Sequence, residues 1–303
     1  MPDRPLVVVL LATHDGAAFL REQIDSILGQ QGVDVRIVVS DDGSTDATPA
    51  LLDELAADPR IVQLPAGAYG SAHANFLRLI RDAPVDGAAA IAFSDQDDVW
   101  NPGRLAAQLE QLRTADAVSA NVIAVYDDDR RVLLDKAQPQ RSLDFVLESA
   151  GPGCTFVLSP AAFDLVRHVV RTDPEADAAP IHDWLVYAIV RAAGMTWHID
   201  PAPVIDYRQH AANDTGANLG WSQARTRLRR MRSGGFRREA AVVARIASRV
   251  AEGEQRARLA ALAALLERGD ARARLALLRG IGSLRRRRSE RIALAGMLLL
   301  GVW

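Results

Sequence analysis

AFSDQDDVWNPGRL, residues 92–105, decides how this chain is read. Asp95, Asp97 and Asp98 crowd into four positions, directly after the small apolar run Ala88–Phe93 and just before Pro102, a residue favoured where helices start. A short, continuous apolar run bounded by polar residues predicts a strand buried on both faces. The negative charge therefore sits at the carboxyl end of a buried strand. The same arrangement recurs upstream. Val35–Val39 ends in SDDGSTD, with Asp41 and Asp42, and Leu6–Leu11 ends in THDG. Helical spacing follows each run: Phe19, Ile24, Ile27 and Leu28 after the first, ATPALLDELAA after the second, Asn75–Arg81 before the acidic strand and PGRLAAQLEQL after it. Strands alternating with helices predict parallel βαβ units and a doubly wound α/β sheet, whose ligand crevice lies outside the carboxyl ends of the strands.

Close carboxylates repel one another unless a cation or a donor-rich ligand offsets the charge. An Asp-x-Asp pair at a strand end suits a hard divalent ion, Mg²⁺ or Mn²⁺, bridging a substrate diphosphate. A structural role competes with this reading: Asp98 or Asn101 could cap the helix opening at Pro102, and DGSTD is good turn chemistry. Either cluster alone leaves both open; the two together, on matching strand ends, favour a site.

VVVLLATHDGAAFLREQIDSILGQQ, RIVVSDDGSTDAT and FSDQDDVWNPGRL resemble the N-terminal, nucleotide-sugar-binding half of family 2 glycosyltransferases of the GT-A fold. SDQDDVW, with IHDWLVYAIVRAAG and IDYRQHAAN downstream, is similar to the bacterial rhamnosyltransferase-like branch that builds cell-surface polysaccharides. The likeness covers roughly residues 5–215. It implies a GT-A, Rossmann-like fold: a mixed, mostly parallel sheet flanked by helices. It places Ala12, Thr13 and Asp15 beside the nucleoside, and Asp42, with Asp41, where a pyrimidine N–H would be accepted. Asp95-Gln96-Asp97 matches the family's Asp-x-Asp motif, with Asp97 the direct metal ligand and Asp95 beside it. His14 and Asp15 stand where members commonly have Tyr-Asn.

Inverting transfer needs a base for the acceptor hydroxyl. HDW at 182–184 supplies Asp183, which matches the family's acidic motif, while by its position alone it is an ordinary helix-start acid interacting with the dipole. His182 would orient the carboxylate or the acceptor. YRQHAAND offers Arg208 and His210 for diphosphate or metal contacts. Gly151 and Gly153 in GPGCTF read as a close backbone approach or as a simple turn. Cys154, the single cysteine, excludes an internal disulfide and any multi-cysteine zinc site, and reads as packing in a reducing compartment.

The chain has 303 residues, 49% of them hydrophobic, enough for a large core. Its first apolar run is too short for a signal peptide, and no stretch reaches the length of a membrane span, so a cytoplasmic location is expected. The net charge of −2 hides an asymmetry: residues 221–303 contain 20 Arg and 6 acidic residues, a net +14, which leaves −16 on residues 1–220. The division expected is a catalytic domain over 1–220, with a nucleotide-binding half to about 126 and an acceptor half from 127, then a basic helical extension over 221–303. Gly234, Gly253, Gly269 and Gly280 are its expected helix breaks. That extension suits either an anionic membrane surface, with Leu298–Leu300 and Trp303 dipping in, or packing against the catalytic domain or in a homo-oligomer. Nucleic acid is not expected, because aromatic interleaving is missing. The partners implied are a dTDP- or UDP-linked sugar donor and a glycan or lipid-linked acceptor. A nucleotidyltransferase would need a Gly-rich, basic phosphate loop that ATHDGAAFL lacks. A noncatalytic assembly protein would have no use for Asp95, Asp97 and Asp183.

Overall fold

The computed structural model describes residues 4–209 and 234–303, in two compact units. Of the described residues, the first comprises those up to 137, 151–172 and 195–209; the second comprises 138–150, 173–194 and the C-terminal helices from 234.

The first unit holds a nine-stranded sheet. Its strands are β1 (Leu6–Thr13), β2 (Asp34–Asp41), β3 (Ile61–Gln63), β4 (Ala90–Ser94), β5 (Val99–Trp100), β6 (Ala117–Tyr126), β7 (Arg131–Leu134), β8 (Val157–Leu158) and β9 (Trp197–Gln209). They lie in the order β3-β2-β1-β4-β8-β6-β9-β5, with β7 on β6. The pairs β3/β2, β2/β1, β1/β4 and β6/β9 are parallel, and short antiparallel β8 joins the two parallel blocks. Val7 to Leu11 of β1 are all 0% exposed, as expected of a parallel strand covered on both faces. Helices α1 (Leu20–Leu28), α2 (Thr48–Leu55), α3 (Ala72–Asp82), α4 (Arg104–Gln111) and α5 (Pro160–Thr172) flank the sheet.

Two helices turn polar residues inward and so fix the strand ends. Helix α1 buries Leu20, Ile24 and Ile27 and, on the same face, Gln23, whose Nε2 donates to Ser94 Oγ at 2.8 Å. Helix α3, capped by Ser71 Oγ accepting from Ala74 N–H, buries Asn75 beside Phe76, Leu79 and Ile80. Asn75 Nδ2 donates to Thr13 O at 3.2 Å and Ser40 O at 2.9 Å, tying the ends of β1 and β2.

The second unit is helical: α6 (His182–Ala192), α7 (Gly235–Val250), α8 (Gly253–Arg268), α9 (Ala271–Arg279) and α10 (Arg288–Leu300). All four glycines expected as breaks stand at helix boundaries: Gly234 and Gly253 at the starts of α7 and α8, Gly269 and Gly280 at the ends of α8 and α9. Gly269 is left-handed, φ +58°, as a C-terminal cap requires. The Trp184 ring stacks on Phe236 at 5.5 Å, and its Nε1 donates to Phe145 O. Asp144 and Arg286, both fully buried, pair at 3.6 Å, with Arg191 and the Tyr187 hydroxyl completing the network. Many tail arginines are thus consumed internally: Arg245 and Arg249 hold Glu175 and Asp173, and Arg286 also takes Glu148. Of Leu298–Leu300 and Trp303, named for the membrane alternative, Leu298 and Trp303 are buried, and of these four only Leu299 and Leu300 project outward.

Candidate active site

Parallel register sets Thr13 opposite Asp41 and Leu11 opposite Ser94, so the acidic ends of β2 and β4 flank the end of β1. Three loops meet there. Asp15, with φ 45°, accepts Thr45 and Asp46 N–H on one carboxylate oxygen. Its carboxyl is held low chiefly by the Thr45 N–H, since hydrogen bonds to the charged form favour it. Asp41 accepts from Ser44 Oγ at 2.5 Å and from Ser44 N–H, in keeping with the turn chemistry of DGSTD. Asp42 Oδ1 accepts from Tyr69 and Gly70 N–H, while its carbonyl faces His14 Nδ1 at 2.9 Å. Ala12 is buried within β1, opposite Ser40.

Gln96, the middle residue of the Asp-x-Asp stretch, joins the β4 loop to the β1 loop. Its Oε1 accepts from Thr13 Oγ1 at 2.7 Å and His14 N–H at 2.8 Å, and its Nε2 donates to His14 O at 3.0 Å. Gly16 leaves room for this side chain: a Cβ there would overlap Gln96 Oε1 and lie 2.8 Å from Thr13 Oγ1. Sequence reading missed Gln96 and Asn75. The available signals were an amide between the two aspartates of one motif, and a polar residue on the apolar stripe of α3.

Neither Asp98 nor Asn101 caps α4, whose N-cap is Gly103 without a side-chain bond. Asn101 instead donates to Pro203 O, and Asp98 turns inward. Asp98 is 1% exposed; its Oδ1 accepts Arg208 N–H at 3.2 Å, and Oδ2 is buried without a hydrogen-bond partner. Burial pushes its carboxyl well above the usual range, and the charges of Asp95 and Asp97 push it further, against the Cys154 thiol and the Arg208 N–H. Among the described residues, Asp95, Asp98 and Cys154 bring ligand atoms within 4.8 Å of one another. Asp97, 7% exposed, stands beside this trio rather than in it.

The donor set fits a hard divalent cation through its carboxylates and through the orphaned Asp98 oxygen, because a cation would offset the repulsion that raises Asp98. The thiol does not fit such an ion. Burial first, then Asp98 and Asp95, pushes the Cys154 pKa up, so it stays a neutral S–H, a soft and weak donor. Cys154 is buried as expected, and its place against two aspartates is the addition. Behind the cluster, buried Arg104 lies 3.7 Å over the Trp100 ring and donates to Cys154 O at 2.7 Å. Burial pulls its pKa down to about 9, which leaves it cationic at neutral pH. Tyr207, whose phenol burial and then the neighbouring Cys154, Asp95, Asp98 and Asp97 hold protonated, closes the same region from β9.

Arg208 lies over the Phe19 ring at 5.0 Å and pairs with Glu22 at 2.8 Å, so its guanidinium faces α1. His210 falls outside the described residues. Asp183 is half-buried in the first turn of α6, in the second unit, and His182 beside it is buried. Gly151, φ +148°, begins a turn that leads into the 3₁₀ segment Gly153–Thr155.

Known proteins share both the sequence and the fold. The profile described as Glycosyl transferase family 2 matches residues 8–169. The chain is 34% identical over 299 residues to dTDP-rhamnosyl transferase RfbG of Shigella flexneri, covering 97% of this chain and 100% of that protein. It is 35% identical over 127 residues to the succinoglycan biosynthesis protein ExoO of Rhizobium meliloti, 39% of this chain and 32% of that one. Two solved structures have the same fold: S. aureus TarS 1–349, TM-score 0.54 at 16% identity over 98% of this chain and 80% of that one, and the mannosyltransferase PcManGT of Pyrobaculum calidifontis, TM-score 0.51 at 18% identity over 100% and 88%. The first of these relatives matches 97% of the chain and the profile covers more than half of it: the chain belongs to glycosyltransferase family 2, as a sugar-transferring enzyme of the GT-A fold.

Proposed function

We propose that the enzyme transfers L-rhamnose, with inversion, from a dTDP- or UDP-linked donor to a saccharide or lipid-linked acceptor in cell-surface polysaccharide synthesis, with Mg²⁺ or Mn²⁺ as cofactor. The observation that carries this reading is the meeting of Asp95, Asp97 and Asp98 with the β1 and β2 loops at one sheet edge. The full-length relative named as a dTDP-rhamnosyl transferase supports the choice of donor.

The residues divide the work as follows. Thr13, His14 and Asp15, with Asp41 and Asp42, shape the wall against which the nucleoside lies; the bonds among their loops preorganise it before the donor arrives. Asp95 and Asp97, backed by buried Asp98, hold the cation. When bound, that ion neutralises the diphosphate and stabilises it as a leaving group. Arg208 would reach the diphosphate by releasing Glu22, whose side chain is exposed, and His210 is the second candidate for that contact. Asp183 accepts the proton of the attacking acceptor hydroxyl. Residues 1–220 supply this chemistry, with the nucleotide-binding half to about 126, and the basic helices after 221 serve location or assembly. The cytoplasmic face of the membrane, where a nucleotide sugar meets a lipid-linked acceptor, is the proposed place of action.

Two variants test the assignment. Asp97→Asn should lose both Mn²⁺-dependent nucleoside diphosphate binding, measured by calorimetry, and transfer. Asp183→Asn should keep donor affinity and melting temperature but lose about 10²-fold or more in transfer rate. A folded Asp183→Asn enzyme with near-normal transfer would show the residue to be only a helix-start acid.

A further inference from the structure

The C-terminal helices leave one feature that catalysis does not use. In α9, Arg272, Leu275 and Arg279 are all exposed, and their spacing of three and four places them on one face. In α10, exposed Arg288, Ile292 and Leu299 share a face by the same rule, and Leu300 projects beside them. Ile292 is 64% exposed, Leu299 74% and Leu300 80%, whereas Leu277, Leu294 and Leu298 carry the packing of these two helices. Residues 271–303 contain eight arginines and a single acid, Glu290, which is paired with Arg285. The arginines that balance acids, Arg285 and Arg286, turn inward to Glu148 and Asp144. The side chains that project on these two faces are cationic and aliphatic.

We propose that the exposed α9–α10 surface is a docking face for an anionic lipid bilayer. The pattern matches an interfacial helix element: arginines for the headgroup charge, and large aliphatic side chains that leave water for the acyl boundary. A second copy related by a two-fold axis would bring two cationic patches together, since both subunits use the same patch. Nucleic acid would engage the charge but leave the leucines without a partner, and the face offers no exposed aromatic ring for stacking. No described helix is long and apolar enough to cross a membrane, so contact would be peripheral. The inference deepens the proposed location and rests on that part of it alone, not on the transfer chemistry.

The experiment is cosedimentation of the full-length protein with vesicles of pure phosphatidylcholine or of phosphatidylcholine with phosphatidylglycerol. Wild type should bind only the anionic vesicles, and high salt should release it. The triple variant Arg272→Gln/Arg279→Gln/Arg288→Gln should lose about 100-fold in affinity, about fivefold for each arginine. Leu299→Ser/Leu300→Ser should lose at least about tenfold at low salt, with unchanged melting temperature because both side chains lie outside the core. Wild type that ignores anionic vesicles, or variants that bind as wild type does, would overturn the proposal. So would variants whose only change is in oligomeric mass, which would assign the face to protein assembly. Transfer to a water-soluble acceptor should be unaffected by all of these substitutions, which separates failure here from failure of the enzymatic reading.

Discussion

Replacing Gly16 by Ala tests the clamp between the β1 and β4 loops. Gly16 has no positive φ, so alanine adds no backbone strain there, and its single methyl group meets Gln96 Oε1 and Thr13 Oγ1. Gln96 is a flexible side chain and can swing away, but only by giving up three hydrogen bonds: from Thr13 Oγ1, from His14 N–H and to His14 O. Each is partly solvated, so its net worth is at the lower end of about 0.5–1.5 kcal/mol, and the set amounts to about 2 kcal/mol. That energy holds the β1 loop, the proposed nucleoside wall, against the acidic loop. Its loss should weaken donor binding by up to about 30-fold, at 1.4 kcal/mol per factor of ten, with a smaller fall in melting temperature because the sheet core is untouched. Gln96→Ala should weaken binding similarly. The decisive measurement is the double-mutant cycle by calorimetry with nucleoside diphosphate and Mn²⁺: Gly16→Ala should cost far less once Gln96 has been truncated. Strictly additive losses, or a Gly16→Ala enzyme with wild-type affinity, would refute the clamp.

Three further outcomes follow from the second unit and the buried thiol. Glu175 is held low mainly by the Arg245 hydrogen bond, so its contribution to stability is present above the unfolded value near 4.5 and is lost as pH falls through the depressed folded value. Glu175→Gln should therefore cost about 1 kcal/mol at neutral pH in urea unfolding, and the difference from wild type should shrink as pH drops below about 4. Asp144→Asn leaves fully buried Arg286 without this partner and should cost about 3 kcal/mol or more, read as a lower denaturation midpoint; an unchanged midpoint would mean that Glu148 suffices. Cys154, buried with its pKa raised, should react with iodoacetamide at pH 8 more than about tenfold more slowly in the native protein than in urea.

The sequence by itself determined the parallel strands β1, β2 and β4, the helices beside them and the acidic edge where the site is proposed, but not β5, β7 or β9. Leu6–Leu11 and Ala88–Phe93 are apolar throughout because both faces of a parallel strand are covered, and their acidic ends follow from the rule that ligands sit at carboxyl edges. The breaks at Gly234, Gly253, Gly269 and Gly280 were equally legible, since backbone conformation and helix propensity are local properties. The roles of individual polar groups were not local. Asp98 could as well have capped α4; it is buried because β9 delivers the Arg208 N–H to it, across 110 residues of chain. Cys154 read as mere packing until β8 and the preceding turn set it against Asp95 and Asp98. Charge counting saw +14 in the tail but not that Arg245, Arg249 and Arg286 are neutralised by acids at 144–175. Those pairings join segments far apart in sequence, and only the packed helices of the second unit decide which arginines are consumed inside and which face outward.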